Sequence, residues 1–181
     1  MPQSRGAQEP EFSRPVEVDQ IGPDGVSLEI EADPGEREAL ARRFGLASLD
    51  RLTASVSVSP LSRKLFRVEG RLEGEVVQTC VVTLDPVPAR LTETFSALFG
   101  EGGPGLAALL GTEEEDTPEP IQGGAIDLGE TVAQHLSLAL DPYPRKPGAR
   151  LPKGYGEVAG GGSEPRQSPF AALGALKKRP R

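Results

Sequence analysis

A chain of 181 residues with a net charge of −7, 36% apolar and 4% aromatic residues and no tryptophan is long enough for one domain with a core, plus tails. It has no apolar run near the ~18 residues a membrane span needs and no apolar stretch at its N-terminus of the kind a signal peptide requires. Its single cysteine excludes both an internal disulfide framework and a multi-cysteine zinc site, so the cytoplasm is the expected compartment.

The charge is unevenly spread. Between Pro142 and Arg181 stand nine Lys/Arg and two Glu, a balance of +7, which leaves −14 on the rest. An acidic body with a basic tail argues against a broad nucleic-acid face on the folded part. Few aromatics also speak against a base-stacking platform. The tail itself can meet an anion in a salt-sensitive way, or merely aid solubility.

Taken in chain order, residues 1–11 read as disordered. Arg14–Ile21 alternates weakly and Val26–Ala32 alternates well, with the turn signal Gly22-Pro23-Asp24-Gly25 between them, which predicts a hairpin. Pro34–Gly45 reads as a helix: Asp33 can cap it, Pro34 suits its first turn, Leu40, Ala41 and Phe44 form a stripe, and Gly45 can stop it. Leu52–Val58 alternates with Ala54, Val56 and Val58 on one face. From Leu65 to Pro86 a long period-2 pattern predicts a half-buried β ribbon, bent or bulged near Gly70 or Gly74 and interrupted by Pro86 and Pro88. Ala89–Phe99 fits a further strand, although Leu91, Phe95 and Leu98 also have helical spacing.

Glu101–Gly124 is a Gly/Pro/acidic loop. Its run Glu113-Glu114-Glu115-Asp116 offers carboxylates to a metal, but no second cluster converges on it, and a solvated loop explains the run as well. Ala125–Leu140 predicts a second helix, with Leu128, Val132, Leu136 and Leu140 at i+4 spacing. Asp127 and Glu130 approximate a capping box, and Pro142 and Pro144 act as a stop. Residues 148–167 read as a Gly-rich flexible linker. Residues 168–181 resume a helical pattern: Ser168 can cap, and Phe170, Leu173, Leu176 and Lys177 follow at helical spacing. So short a helix is marginal alone and is expected to form on a partner.

Catalytic chemistry is not apparent. His135 is the only histidine, and neither a nucleophile nor a supporting acid can be assigned around it. Cys80 falls on the apolar face of the ribbon, which predicts burial and an inert thiol. The glycines near 100–105 and 160–162 fit neither phosphate-loop nor dinucleotide patterns. No cofactor, metal or small-molecule substrate is expected.

Three segments in order, EVVQTCVVTLDPVPARLTETF (75–95), AIDLGETVAQHLSLALDPYPR (125–145) and SPFAALGALKKR (168–179), resemble the YceD family. This is a bacterial and plastid family of proteins required for normal accumulation of large-subunit ribosomal RNA. Many of its members carry a Cys-x-x-Cys pair in the ribbon. Here Cys80 is followed three residues later by Thr83, so a zinc or redox role does not carry over, and the resemblance implies a process rather than a set of active residues.

The expectation is an α+β domain over residues 12–147, a curved antiparallel sheet packed by two helices. The resemblance implies a non-enzymatic ribosome-biogenesis factor whose partner is a ribosomal or maturation protein. The tail would engage that protein or rRNA phosphates through Phe170, Leu173, Leu176, Lys177, Lys178, Arg179 and Arg181. The alternatives are direct RNA binding by the folded domain, and a metal-dependent hydrolase using the loop at Glu113–Asp116.

Overall fold

A computed structural model describes residues 10–100 and 118–150, and those through Ala149 form one compact unit. The elements in chain order are β1 (Pro15–Glu17), a 3-10 turn (Val18–Gln20), β2 (Val26–Glu31), α1 (Pro34–Phe44), β3 (Ser48–Ser62), β4 (Leu65–Thr79), β5 (Pro86–Gly100), β6 (Ala125–Asp127) and α2 (Leu128–Ala139). The class is α+β. Four strands form an antiparallel meander in the order β2-β3-β4-β5, and β1 and β6 form a separate antiparallel pair.

Alternation places Leu52, Ala54, Val56 and Val58 of β3 and Val68, Leu72 and Val76 of β4 on one buried face. Leu128, Val132, Ala133 and Leu136 of α2 join the same core, as do Leu40 and Ala41 of α1. The apolar stripe of each helix is what the sheet covers, and its removal from water drives their docking. The opposite face of the sheet is polar. Its cross-strand rows run Glu29–Ser55–Arg71–Thr94 and Glu31–Thr53–Glu73–Thr92.

Helix α1 obeys its local signals. Asp33 accepts the N–H of Glu36, and the Glu36 carboxylate accepts the N–H of Asp33, a complete capping box. Gly45 closes the helix at φ 66°, where a side chain would be strained. Helix α2 starts later than its sequence pattern, at Leu128, because Ala125–Asp127 pairs as β6. Asp127 caps it by accepting from Gly129 and Glu130, but the Glu130 carboxylate holds Arg43 rather than completing a box.

Three expectations are corrected. The predicted hairpin between residues 14–21 and 26–32 does not form. The turn is present, with the Gly25 N–H donating to Gly22, but β2 pairs with the longer β3, and β1 pairs with β6. The ribbon does not bulge at Gly70 or Gly74. The register shifts fall at Leu49/Arg51 and Pro60/Ser62, between β3 and β4, while β4 pairs with β5 without a break. The two glycines instead make room. A Cβ on Gly70 would sit 2.5 Å from the Phe95 ring, and one on Gly74 would touch Leu136. Pro86 and Pro88 open β5 rather than interrupt it, which an edge strand tolerates because a missing N–H can face away from its neighbour.

Candidate functional site

The tail residues singled out in the sequence, Phe170, Leu173, Leu176, Lys177, Lys178, Arg179 and Arg181, lie outside the described residues, as does the acidic run Glu113–Asp116. Among the described residues no group of three or more His, Cys, Asp or Glu could hold a metal ion. What the structure does position are the N-terminal junction, the polar sheet face, His135 and a pair of loops around Cys80.

At the junction, Asp127 receives the Ser13 hydroxyl at 2.6 Å and the Arg14 N–H at 2.8 Å in addition to its own helix's donors. The Arg14 guanidinium forks onto Glu36 at 2.6 and 2.9 Å. That bidentate bond raises the arginine's pKa and lowers the carboxyl's. Phe12 is buried beneath this network. Its carbonyl crosses the first turn of α2 so closely that a Cβ on Gly129 would lie 2.5 Å from it. Arg43 ties α1 to α2 by holding Glu130 at 2.7 Å, and it reaches Glu11 at 3.0 Å. These groups position elements; their partners are all within the chain.

The polar sheet face carries a shallow depression of about 410 Å³, bordered by Glu29, Glu31, Arg51, Thr53, Arg71 and Glu73. Acids and arginines alternate there, and some satisfy one another, as in Arg71–Glu73 at 3.4 Å. The result is a nearly neutral hydroxyl-and-charge surface, without the single-sign field that steers a strongly charged ligand.

His135 sits on α2 with its ring stacked on Phe95. Burial lowers its pKa, opposed by the carboxylates of Glu119 and Glu93. The sequence placed it at a helix surface or edge; the structure gives it a packing partner on β5.

Among the described residues, the loops around Cys80 form the most closely tied construction. After β4 the chain turns through residues 80–85. The Cys80 N–H donates to the Asp85 carbonyl at 2.8 Å, and the Leu84 N–H donates to the Cys80 carbonyl at 3.0 Å. The segment after α2 is laid against this turn. Gln78 donates to the Asp141 carbonyl at 2.9 Å, and the Val81 N–H donates to the Pro144 carbonyl at 2.9 Å. Lys146 reaches Asp85 at 3.1 Å. The Cys80 sulfur receives the backbone N–H of Lys146 at 3.4 Å and that of Thr83 at 3.5 Å. The Lys146 N–H, the Thr83 side chain and the backbone donors of Thr83 and Val82 pull the thiol down to about 6, against burial, which raises it. Cys80 itself has no solvent exposure, as expected, although it lies in the turn and not on the ribbon, which ends at Thr79. It is a buried sulfur acceptor that joins two loops.

Sequence reasoning took Pro142 and Pro144 only as a helix stop. Pro144 is in fact a buried docking residue. The signal for it was faint: a tyrosine and an arginine alternating with prolines in Pro142-Tyr143-Pro144-Arg145, a stiff segment with interface-type side chains.

Two comparisons bear on what this arrangement serves. Residues 68–177, more than half of the chain, match the family described as Large ribosomal RNA subunit accumulation protein YceD. No curated protein and no solved structure matches the chain. Among the described residues, no helix is long and apolar enough to cross a membrane.

Proposed function

The chain belongs to the YceD family of large ribosomal RNA subunit accumulation proteins, and from that premise we propose that it supports ribosome biogenesis as a non-enzymatic docking factor of the cytoplasm. Its partner is a ribosomal or ribosome-maturation protein. The observation that carries this reading is the division of charge: −14 on residues 1–141 against +7 on residues 142–181. An acidic body suits basic proteins of the kind that bind rRNA and repels rRNA phosphates. The basic end is the part able to meet either a protein groove or the phosphates. The part-exposed polar groups around Arg14, Arg43 and Asp127 are paired within the fold, which suits a rigid docking body.

The test is recovery of the tagged intact protein from its own cells, with and without RNase, followed by identification of both protein and RNA. A ribosomal or maturation protein that stays bound after RNase is expected. Large-subunit rRNA that is lost with RNase, recovered without such a protein, would replace this reading with direct RNA contact. A chain ending at Gln167 is expected to lose association with precursor particles; unchanged association would remove the tail from the proposal.

A further inference from the structure

Only four large apolar residues are strongly exposed among the described ones: Val81 (49%), Leu84 (77%), Leu138 (78%) and Tyr143 (70%). Single exposed apolar residues scattered over a surface need no explanation. These four are not scattered. Val81 and Leu84 lie on the turn after β4, and Tyr143 lies on the segment bonded to that turn through Val81 and Pro144. Leu138 is on the last turn of α2, which leads into the same segment. All four therefore belong to one end of the domain, where Gln78 holds Asp141.

The backbone there carries a second oddity. Leu84 is the only non-glycine residue with positive φ among those described, at 62°. A branched side chain rarely adopts this conformation, and strained backbone that surrounding structure enforces clusters at functional surfaces. Burial does not explain it, since the side chain points into solvent. The surrounding bonds do enforce it. Leu84 is clamped between Cys80 and Asp85, Asp85 is held by Lys146, and the turn is braced by the Cys80 sulfur. The strain presents a leucine outward on a rigid support.

We propose that this two-loop knuckle is a protein-docking surface, and that its occupant is a folded protein offering an apolar pocket rimmed by carboxylate or carbonyl oxygens. This rests on the protein-docking reading above and names the surface that performs it. Leu84 is the apolar anchor, and Tyr143 and Val81 flank it. Tyrosine and arginine are the residues that most often dominate interface energy. Here Tyr143 and Arg145 stand on either side of the buried Pro144. Arg145 is exposed and has no ion pair among the described residues, so its guanidinium is available to the rim. Lys146 is already engaged by Asp85. The exposed side chains at the centre of this surface, Val81, Leu84 and Tyr143, are apolar or aromatic, which suits a protein pocket rather than a phosphate backbone.

The test uses the full chain in its own cells, with a photoreactive benzoylphenylalanine replacing Leu84 or Tyr143, and replacing Thr94 on the polar sheet face as a control. Cross-links from 84 and 143 to one large-subunit ribosomal or maturation protein, insensitive to RNase and at least tenfold weaker from 94, are the expected result. Cross-linking to RNA, to a second copy of the chain, or equally from 94 would overturn the proposal, as would none at all. Leu84→Gly separates docking from folding, because glycine accepts this backbone. The variant should melt at or above the temperature of the unaltered chain yet lose at least tenfold in recovery of the partner. If it recovers the partner undiminished, the knuckle is not the surface while protein docking stands. If the unaltered chain recovers no protein, protein docking itself fails.

Discussion

The imidazole of His135 lies stacked on the ring of Phe95, with centroids 4.4 Å apart and planes 17° from parallel. This contact joins α2 to β5. It also sets a pH dependence, because burial lowers the His135 pKa from 6.5 against the pull of Glu119 and Glu93. The unfolded chain takes up the proton at a higher pH than the folded one. Stability is therefore expected to fall as pH drops below the ordinary imidazole value, and to level off below the folded value. Denaturant midpoints between pH 5 and 8 measure this. His135→Phe should retain the stack and flatten that part of the curve; a curve identical to the unaltered protein's would show that another group is responsible.

Gly70 lies beneath the same ring. A Cβ there would sit 2.5 Å from Phe95 Cζ and 3.1 Å from the Ser55 carbonyl. Gly70→Ala should therefore displace Phe95 and cost about 1–3 kcal/mol, the usual range for overpacking. Adding Phe95→Leu should recover part of that loss, measured as a double-mutant cycle. Strictly additive losses would mean that the clash is with the backbone alone.

Cys80 combines a thiol pulled down to about 6 by the Lys146 N–H, Thr83 and neighbouring backbone donors with complete burial. The unfolded value is near 9.0, so across that interval the unfolded chain holds the extra proton. Stability contributed by the thiolate is present above the unfolded value and is lost as pH falls to about 6. Cys80→Ala should remove this rise in stability between pH 6 and 9. Because the sulfur is inaccessible, alkylation of the folded protein should be slow in spite of the low pKa; rapid alkylation at pH 7 would contradict the packing.

Asp127 accepts from Ser13, Arg14, Gly129 and Glu130. It thus serves as helix cap and as anchor for the N-terminal segment. Asp127→Ala removes both roles and is expected to cost about 2–4 kcal/mol, more than a cap alone at about 1 kcal/mol. Chymotrypsin should then cut after Phe12, which is buried in the intact fold, well before global unfolding. Equal protection in both proteins would show that Phe12, rather than Asp127, holds the segment.

Helix α1, the core stripe of α2 and the alternation of β3 and β4 were legible in the sequence because their causes are local: a cap, a period, a stop. Cys80 is buried as expected, but not by the alternation, which ends with β4 at Thr79 and wrongly turned Leu84 inward; the turn after β4 and the segment at Lys146 enclose it. The partner of β1 was not legible, since Ser13 and Asp127 meet across 114 positions and nothing in three residues of strand announces so distant a neighbour. The knuckle was hidden for a similar reason. The Pro144 carbonyl matters only because Val81 reaches it, and a proline read by itself signals an end. The bulges were misassigned to glycines whose actual use is to admit Phe95 and Leu136.

The pairing of β1 with β6 also has a consequence for synthesis. The meander β2-β3-β4-β5 is complete once Gly100 has been made, and each of its strands pairs with a sequence neighbour. Such local contacts form quickly. The segment from Phe12 to Glu17, although made before the meander, has no place to settle until Ile126 and Asp127 leave the exit tunnel. It is therefore locked in after the strands that follow it in the chain.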